Sequence, residues 1–167
     1  GDVTADYYVL AVPLETAMEL ITPAMGVLDP ALAKLRNENV DDLASWMVGI
    51  QFFLYEDVPM VRGHLFFPDS PWALTAISQP QFWRKNGLFR KTYGDGNVGG
   101  CISVDISDWN TPGKLIPKTA KMCTPDEIAQ EVWYQIKMAV NGAGEGSTYL
   151  TDDLLHSYHL DTDLDYS

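Results

Sequence analysis

An α+β fold, a mainly antiparallel (mixed) sheet with helices packed against it, is what this sequence predicts. Three observations carry that expectation. Short apolar runs of strand length recur through the middle of the chain, at 46–54, 62–67, 73–78 and 101–106, separated by turn residues. The connections between the first three are too short for the crossover a parallel pair needs, so an antiparallel meander follows. A single long amphipathic stretch after Thr124 then carries every mark of a helix.

Taken in order, Ala5 to Val12 (Ala-Asp-Tyr-Tyr-Val-Leu-Ala-Val) is nearly continuous in apolar residues and reads as a buried strand. Pro13 stops it. Leu14, Ala17, Met18 and Ile21 share one face at i, i+3, i+4, i+7, which predicts a helix over 14–21. Residues 22–41 are weakly patterned, except that Asp29 and Pro30 offer a cap and a first-turn proline for a helix over 31–36. Residues 79–83 read as a helical turn. In the 101–106 strand, Cys101, Ser103 and Asp105 fall on one face and Ile102, Val104 and Ile106 on the other. Thr124-Pro125-Asp126-Glu127 is a capping box with proline at the first helical position. Ile128, Val132, Ile136 and Ala139 form the predicted buried stripe; Asn141-Gly142 ends the helix, and 142–147 is a flexible link.

The chain has 167 residues, enough for one domain with a real core. Its net charge of −12 argues against nucleic acid and against docking on an anionic membrane by charge alone, since both need clustered Lys and Arg. Cys101 and Cys123 could form one disulfide but make no Cys-dense framework, and a reduced pair in a cytosolic protein is the favoured expectation. No apolar run approaches the length of a membrane span. The sequence opens on Gly1, which suits a processed product or an excised piece.

Several motifs invite chemistry. Gly94-Asp95-Gly96-Asn97-Val98-Gly99 matches G-x-G-x-x-G, but polar residues precede it and a strand follows it. A dinucleotide site needs the reverse, with the helix N-terminus holding the phosphates. Asp95-Gly96 instead suits a tight turn between strands. Asp161-x-Asp163-x-Asp165 starts like a calcium loop and then lacks the glycine and the twelfth-position Glu, so it reads as a solvated acidic tail. His156 and His159 are spaced to share a helical face, and with His64 would make the ligand set of a zinc hydrolase only if the fold joined them. There is no G-x-S-x-G elbow, and neither cysteine has an adjacent cation to lower its pKa. Ser103, Asp105, Ser107 and Asp108 beside Trp109 read as a strand end and turn.

The aromatic set is richer. Trp46, Phe52, Phe53, Phe66, Phe67, Trp72, Phe82 and Trp83 all come from the sheet region, with the densest run at 63–83. Core packing accounts for most of them, and any left on an uncovered face would form an apolar wall for a ligand or another domain.

Three stretches together resemble a known family: 46–54 (Trp-Met-Val-Gly-Ile-Gln-Phe-Phe-Leu), 63–83, and 93–96 with Ser103-Val104-Asp105-Ile106-Ser107-Asp108-Trp109. They look like the middle region of FAD-dependent desaturases, the phytoene-desaturase-like and hydroxysqualene-dehydroxylase-like members of the flavin amine oxidase superfamily. Residues 123–137 fit the same stretch, and 5–13 resemble the strand that returns the chain to the flavin domain. The resemblance implies two parts, 1–22 as strand and helix returning from an FAD domain and 23–167 as a substrate-binding domain truncated at its C-terminal side. It implies hydride removal from an isoprenoid C–H to flavin, or reductive dehydroxylation, with the cofactor carrying the redox chemistry. Such proteins carry a strand–GxGxxG–helix near the N-terminus and a second flavin-contacting segment near the C-terminus. Neither is present in 1–167, so the expectation is an internal fragment, inactive alone and holding no FAD. Its partners would be an apolar small molecule and the missing FAD-binding segments. Its location would be cytoplasmic, with peripheral membrane contact in the parent. By the same resemblance Ala11, Val12 and Pro13 would pass near FAD, and Gln51, His64, Trp72 and Gln79 would lie on the sheet that walls the substrate cavity. The competing expectation is a self-contained α+β ligand-binding or protein-interaction module without catalysis.

Overall fold

The computed structural model describes residues 2–43, 47–83, 89–92, 94–142 and 148–161. It divides into two compact units, Gly1–Ser45 and Trp46–Ser167. Trp46, Tyr93, Asp163, Asp165 and the link at 143–147 lie outside the described residues.

The first unit is helical: α1 (Leu14–Leu20), α2 (Pro23–Leu28), α3 (Pro30–Arg36) and α4 (Val40–Leu43). Helix α3 starts where its cap predicts, the Asp29 carboxylate accepting from the Ala31 N–H at 2.9 Å. Helix α2 is not evident from hydrophobic periodicity but has the same device, with the Thr22 hydroxyl accepting from Met25 N–H and Pro23 inside the first turn. The predicted strand at 5–12 does not form. Residues 5–12 are irregular and exposed, Tyr7 and Val9 almost fully so. A continuous apolar strand is stable only when both its backbone edges and both its faces are covered, and no described strand pairs with this one.

The second unit is an α+β fold. Its strands are β1 (Val48–Leu54), β2 (His64–Phe66), β3 (Thr75–Ser78), β4 (Gly100–Ile106) and β5 (Leu155–Leu160). They form one antiparallel sheet in the order β2-β3-β4-β1-β5. The meander expected for β1, β2 and β3 is therefore corrected: β2, β3 and β4 are the meander, and β4 returns to lie beside β1 as in a Greek key. Glycine at the start of β4 is what admits this arrangement. A Cβ on Gly99 would lie 2.4 Å from the Tyr55 carbonyl oxygen, and one on Gly100 2.7 Å from that of Glu56. The chain leaving β1 can pass this close to β4 only because both side chains are missing.

Helices α5 (Pro80–Trp83) and α6 (Phe89–Thr92) lie between β3 and β4, and α7 (Pro125–Asn141) follows β4. Both bonds of the predicted capping box are made, Glu127 N–H to the Thr124 hydroxyl and Thr124 N–H to the Glu127 carboxylate. Helix α7 buries Ile128, Ala129, Val132, Trp133 and Ile136 against one sheet face. Ala139, expected in that stripe, is exposed, because the helix has run past the end of the core. That sheet face supplies Val48, Ile50, Phe52 and Leu54 from β1, Ile102, Val104 and Ile106 from β4, and Ala76 from β3. Phe52 meets Trp133 with ring centroids 5.1 Å apart, a contact typical of aromatic core pairs. Among the described residues no helix is long and apolar enough to cross a membrane.

Candidate functional site

Alternation along β1, β4 and β3 sends every second side chain to the face that α7 does not cover. The register aligns these residues into rows. One row runs His64, Ile77, Ser103, Gln51, His159 across all five strands. The next runs Phe66, Thr75, Asp105, Gly49, with the Asp161 backbone N–H bonded to the Gly49 carbonyl at its end. A third carries Cys101, Phe53 and Ser157. Gln79, just past β3, joins this face by donating from Nε2 to the Ser103 hydroxyl at 2.9 Å.

Of the four residues that the family resemblance puts on a cavity wall, Gln51, His64 and Gln79 thus share one sheet face. Trp72 does not. It is completely buried in the core, and its indole N–H donates to the Thr111 carbonyl at 3.0 Å. The remaining aromatics also sort by face. Phe52 and Phe67 are core, Phe53 is half-buried on the face opposite α7, and Phe66, Phe82 and Trp83 are exposed. Ala11, Val12 and Pro13 are exposed chain leading into α1.

The face is mixed: Gln51, Ser103, Gln79, Thr75 and Asp105 lie on it with Phe53, Ile77 and Phe66, and His64, His159 and Ser157 stand on its edge strands. Cys101 adds no nucleophile: burial pushes its thiol up to about 11, so it stays protonated at neutral pH. Both cysteines are free.

The histidine set does not converge. His156 and His159 lie on strand β5 rather than on a helix, and His156 occupies the bulge where it packs edge-on to Tyr55 with centroids 5.1 Å apart. His64 and His159 stand at opposite edges of the sheet, four strand spacings or about 19 Å apart. Among the described residues no three His, Cys, Asp or Glu side chains gather as metal ligands. The glycine pattern at 94–99 follows α6 and runs into β4, so it does not open a helix. Asp95 instead closes a local turn by accepting from the Asn97 N–H at 2.9 Å. This turn joins a helix to a strand, not two strands. Asp108 closes another turn after β4, accepting from the N–H groups of Asn110 and Thr111, as a strand end and turn require.

A second concavity, about 830 Å³, lies between the β2–β3 turn and the end of α7, lined by Met60, Leu65, Phe67, Met138 and Tyr149. Beneath it Ser70 donates to Gln135, and Gln135 donates to Glu131. Glu131, fully buried, also accepts from the N–H groups of Lys114, Leu115 and Ile116 at 2.6–2.9 Å. All of these groups are mutually satisfied, so the cluster fixes a loop and leaves nothing for a ligand. No periodicity announces Glu131. It is a charged residue at a buried helical position, legible only once the loop facing it is known.

Compared with protein-family models, with curated proteins and with solved structures, the chain gives no match in any of the three.

Proposed function

We propose that the sheet unit is the substrate-binding part of an FAD-dependent, desaturase-like oxidoreductase acting on an isoprenoid or other apolar molecule. One observation carries this reading. On the face of the sheet opposite α7, Gln51, His64 and Gln79 fall together with Phe53, Ile77 and Phe66. A face of this composition suits an apolar body held by a few polar contacts.

The residues present do not by themselves fit FAD. Residues 94–99 offer no helix N-terminus for a pyrophosphate, and Ala11, Val12 and Pro13 are exposed chain without a cradle. The proposal therefore requires flavin-holding residues from outside 1–167, and no hydride step is assigned to these side chains. Their part is to bind and orient the substrate and to keep water from it.

The test uses all-trans-retinol, an apolar polyene whose fluorescence rises when it leaves water. Added to the 167-residue protein, it should show saturable enhancement. Ile77→Glu and Phe53→Glu, each placing a charge on the face, should weaken binding at least about tenfold with the far-ultraviolet circular dichroism unchanged. Absence of enhancement, or enhancement indifferent to both substitutions, would favour the interaction-module reading instead. Stoichiometric FAD binding by this chain would overturn the assignment of the flavin site to residues outside it.

A further inference from the structure

We infer that Asp105, opposite Gly49, is the specificity-determining anchor of the sheet face opposite α7, and that its ligand is an apolar molecule bearing one hydrogen-bond donor, a hydroxyl or an ammonium. The inference rests on the reading of that face as a substrate wall and adds to it the polarity of the head group.

Asp105 lies on β4, the central strand of the five, and is only partly exposed. Its neighbours in the row are Thr75 on β3 and Gly49 on β1. No donor among the described residues reaches its carboxylate, whereas Asp95, Asp108, Glu127, Glu131 and Asp152 are all hydrogen-bonded within the sheet unit. Gly49 leaves the approach open: a Cβ built there would lie 3.9 Å from Asp105 Oδ1, so any larger side chain would stand against the carboxylate. Ile77 is its diagonal neighbour on β3, Phe66 stands two strands away in the same row, and Gln79 is already spent on Ser103.

A ligand lying across this face would strip water from Asp105. Leaving a carboxylate desolvated and unpartnered is far more costly than leaving a hydroxyl so. A pure hydrocarbon, or a molecule whose polar end only accepts, therefore meets a penalty at the centre of the face. A carboxylate ligand meets like-charge repulsion as well. A hydroxyl or ammonium turns the same group into a charge-assisted hydrogen bond. Both donors share this chemistry, and the probes separate them.

The experiment compares all-trans-retinol, retinyl methyl ether and retinylamine on the 167-residue protein by fluorescence enhancement. These share one polyene and differ only at the head. Retinol or the amine should bind about tenfold or more tightly than the ether, which can only accept. In Asp105→Val the ether should bind at least as well as to the native protein, and the donor-bearing probe should lose its advantage. Gly49→Val, equally suited to a strand, should also erase the preference by filling the approach. Amide shifts of Ser103 and Gln51 should move on binding in every variant that binds. Equal affinity for ether and donor probes in the native protein, or a preference that survives Asp105→Val, overturns this inference while leaving the face as a substrate wall. Failure of all three probes to bind overturns that reading itself.

Discussion

Removing a single carboxylate, that of Glu131, should be among the most damaging changes to the sheet unit. It is fully buried, yet every acceptor position on it is taken: three consecutive backbone N–H groups from 114–116 and the amide of Gln135. Glu131→Ala would strand those N–H groups without water or partner and leave a void. The expected cost is about 3–5 kcal/mol, read as a lowered urea midpoint. Glu131→Gln keeps the volume and one oxygen, and replaces the other acceptor with an NH2 that faces backbone N–H. It should cost less than alanine and still more than about 1 kcal/mol. Equal stability of all three proteins would show that the loop is held by other contacts. The partner Ser70 is less critical, since its hydroxyl ties only Gln135 and the Leu74 N–H.

Helix α7 brings that carboxylate to its loop, and its first turn is where local sequence and structure agree most closely. Thr124→Ala removes the side-chain half of the capping box and should cost about 1 kcal/mol, measured as a fall in the thermal midpoint; Thr124→Ser should restore it. Elements of this kind were legible because the signal is local: a cap, a first-turn proline and a 3.6-residue stripe lie within a few residues of one another. The same holds for Asp29 before α3, for β1, and for β4 from Ile102 onward, where period-two burial matches the alternation. What escaped the sequence is nonlocal. The pairing of β4 with β1 depends on Gly99 and Gly100 meeting a carbonyl more than forty residues earlier in the chain. Strand β5, Leu-His-Ser-Tyr-His-Leu, is too polar to look like a strand and exists because β1 offers it an edge. Conversely, 5–12 has strong strand composition and no described edge to join, so composition alone misleads there. The candidate face is intermediate. That Ser103 and Asp105 share a side follows from alternation, whereas their alignment with Gln51, Thr75 and Gly49 is set by register.

At the scale of the molecule, charge and hydrogen bonding pull stability in opposite directions with pH. The net charge of −12 at pH 7 makes the folded chain repel itself, and acidification toward the isoelectric point near 4.4 relieves that repulsion. Four carboxylates of the sheet unit work the other way. Asp108 is held below the usual carboxylate range first by the Thr111 hydroxyl, Asp152 by the Lys137 ammonium, Glu127 by the Lys118 ammonium and Asp95 by the Asn97 backbone N–H. A carboxylate whose native pKa is depressed adds stability that is fully present above its unfolded value and is lost as pH falls through the native one. The unfolded values are near 3.8 for Asp and 4.5 for Glu, so this loss lies below them. Stability should therefore hold or rise slightly from pH 7 to about 5, then fall below about pH 4. Tryptophan fluorescence follows this cleanly, because residues 1–45 contain no tryptophan and Trp72, Trp109 and Trp133 are buried in the sheet unit. Asp108→Asn isolates one contribution. It keeps a side-chain oxygen for the Asn110 and Thr111 N–H groups but cannot titrate, so its melting temperature should be lower than native at pH 7 and should converge on native at low pH. A variant whose curve runs parallel to native across the whole range would show that Asp108 has no part in the acid limb.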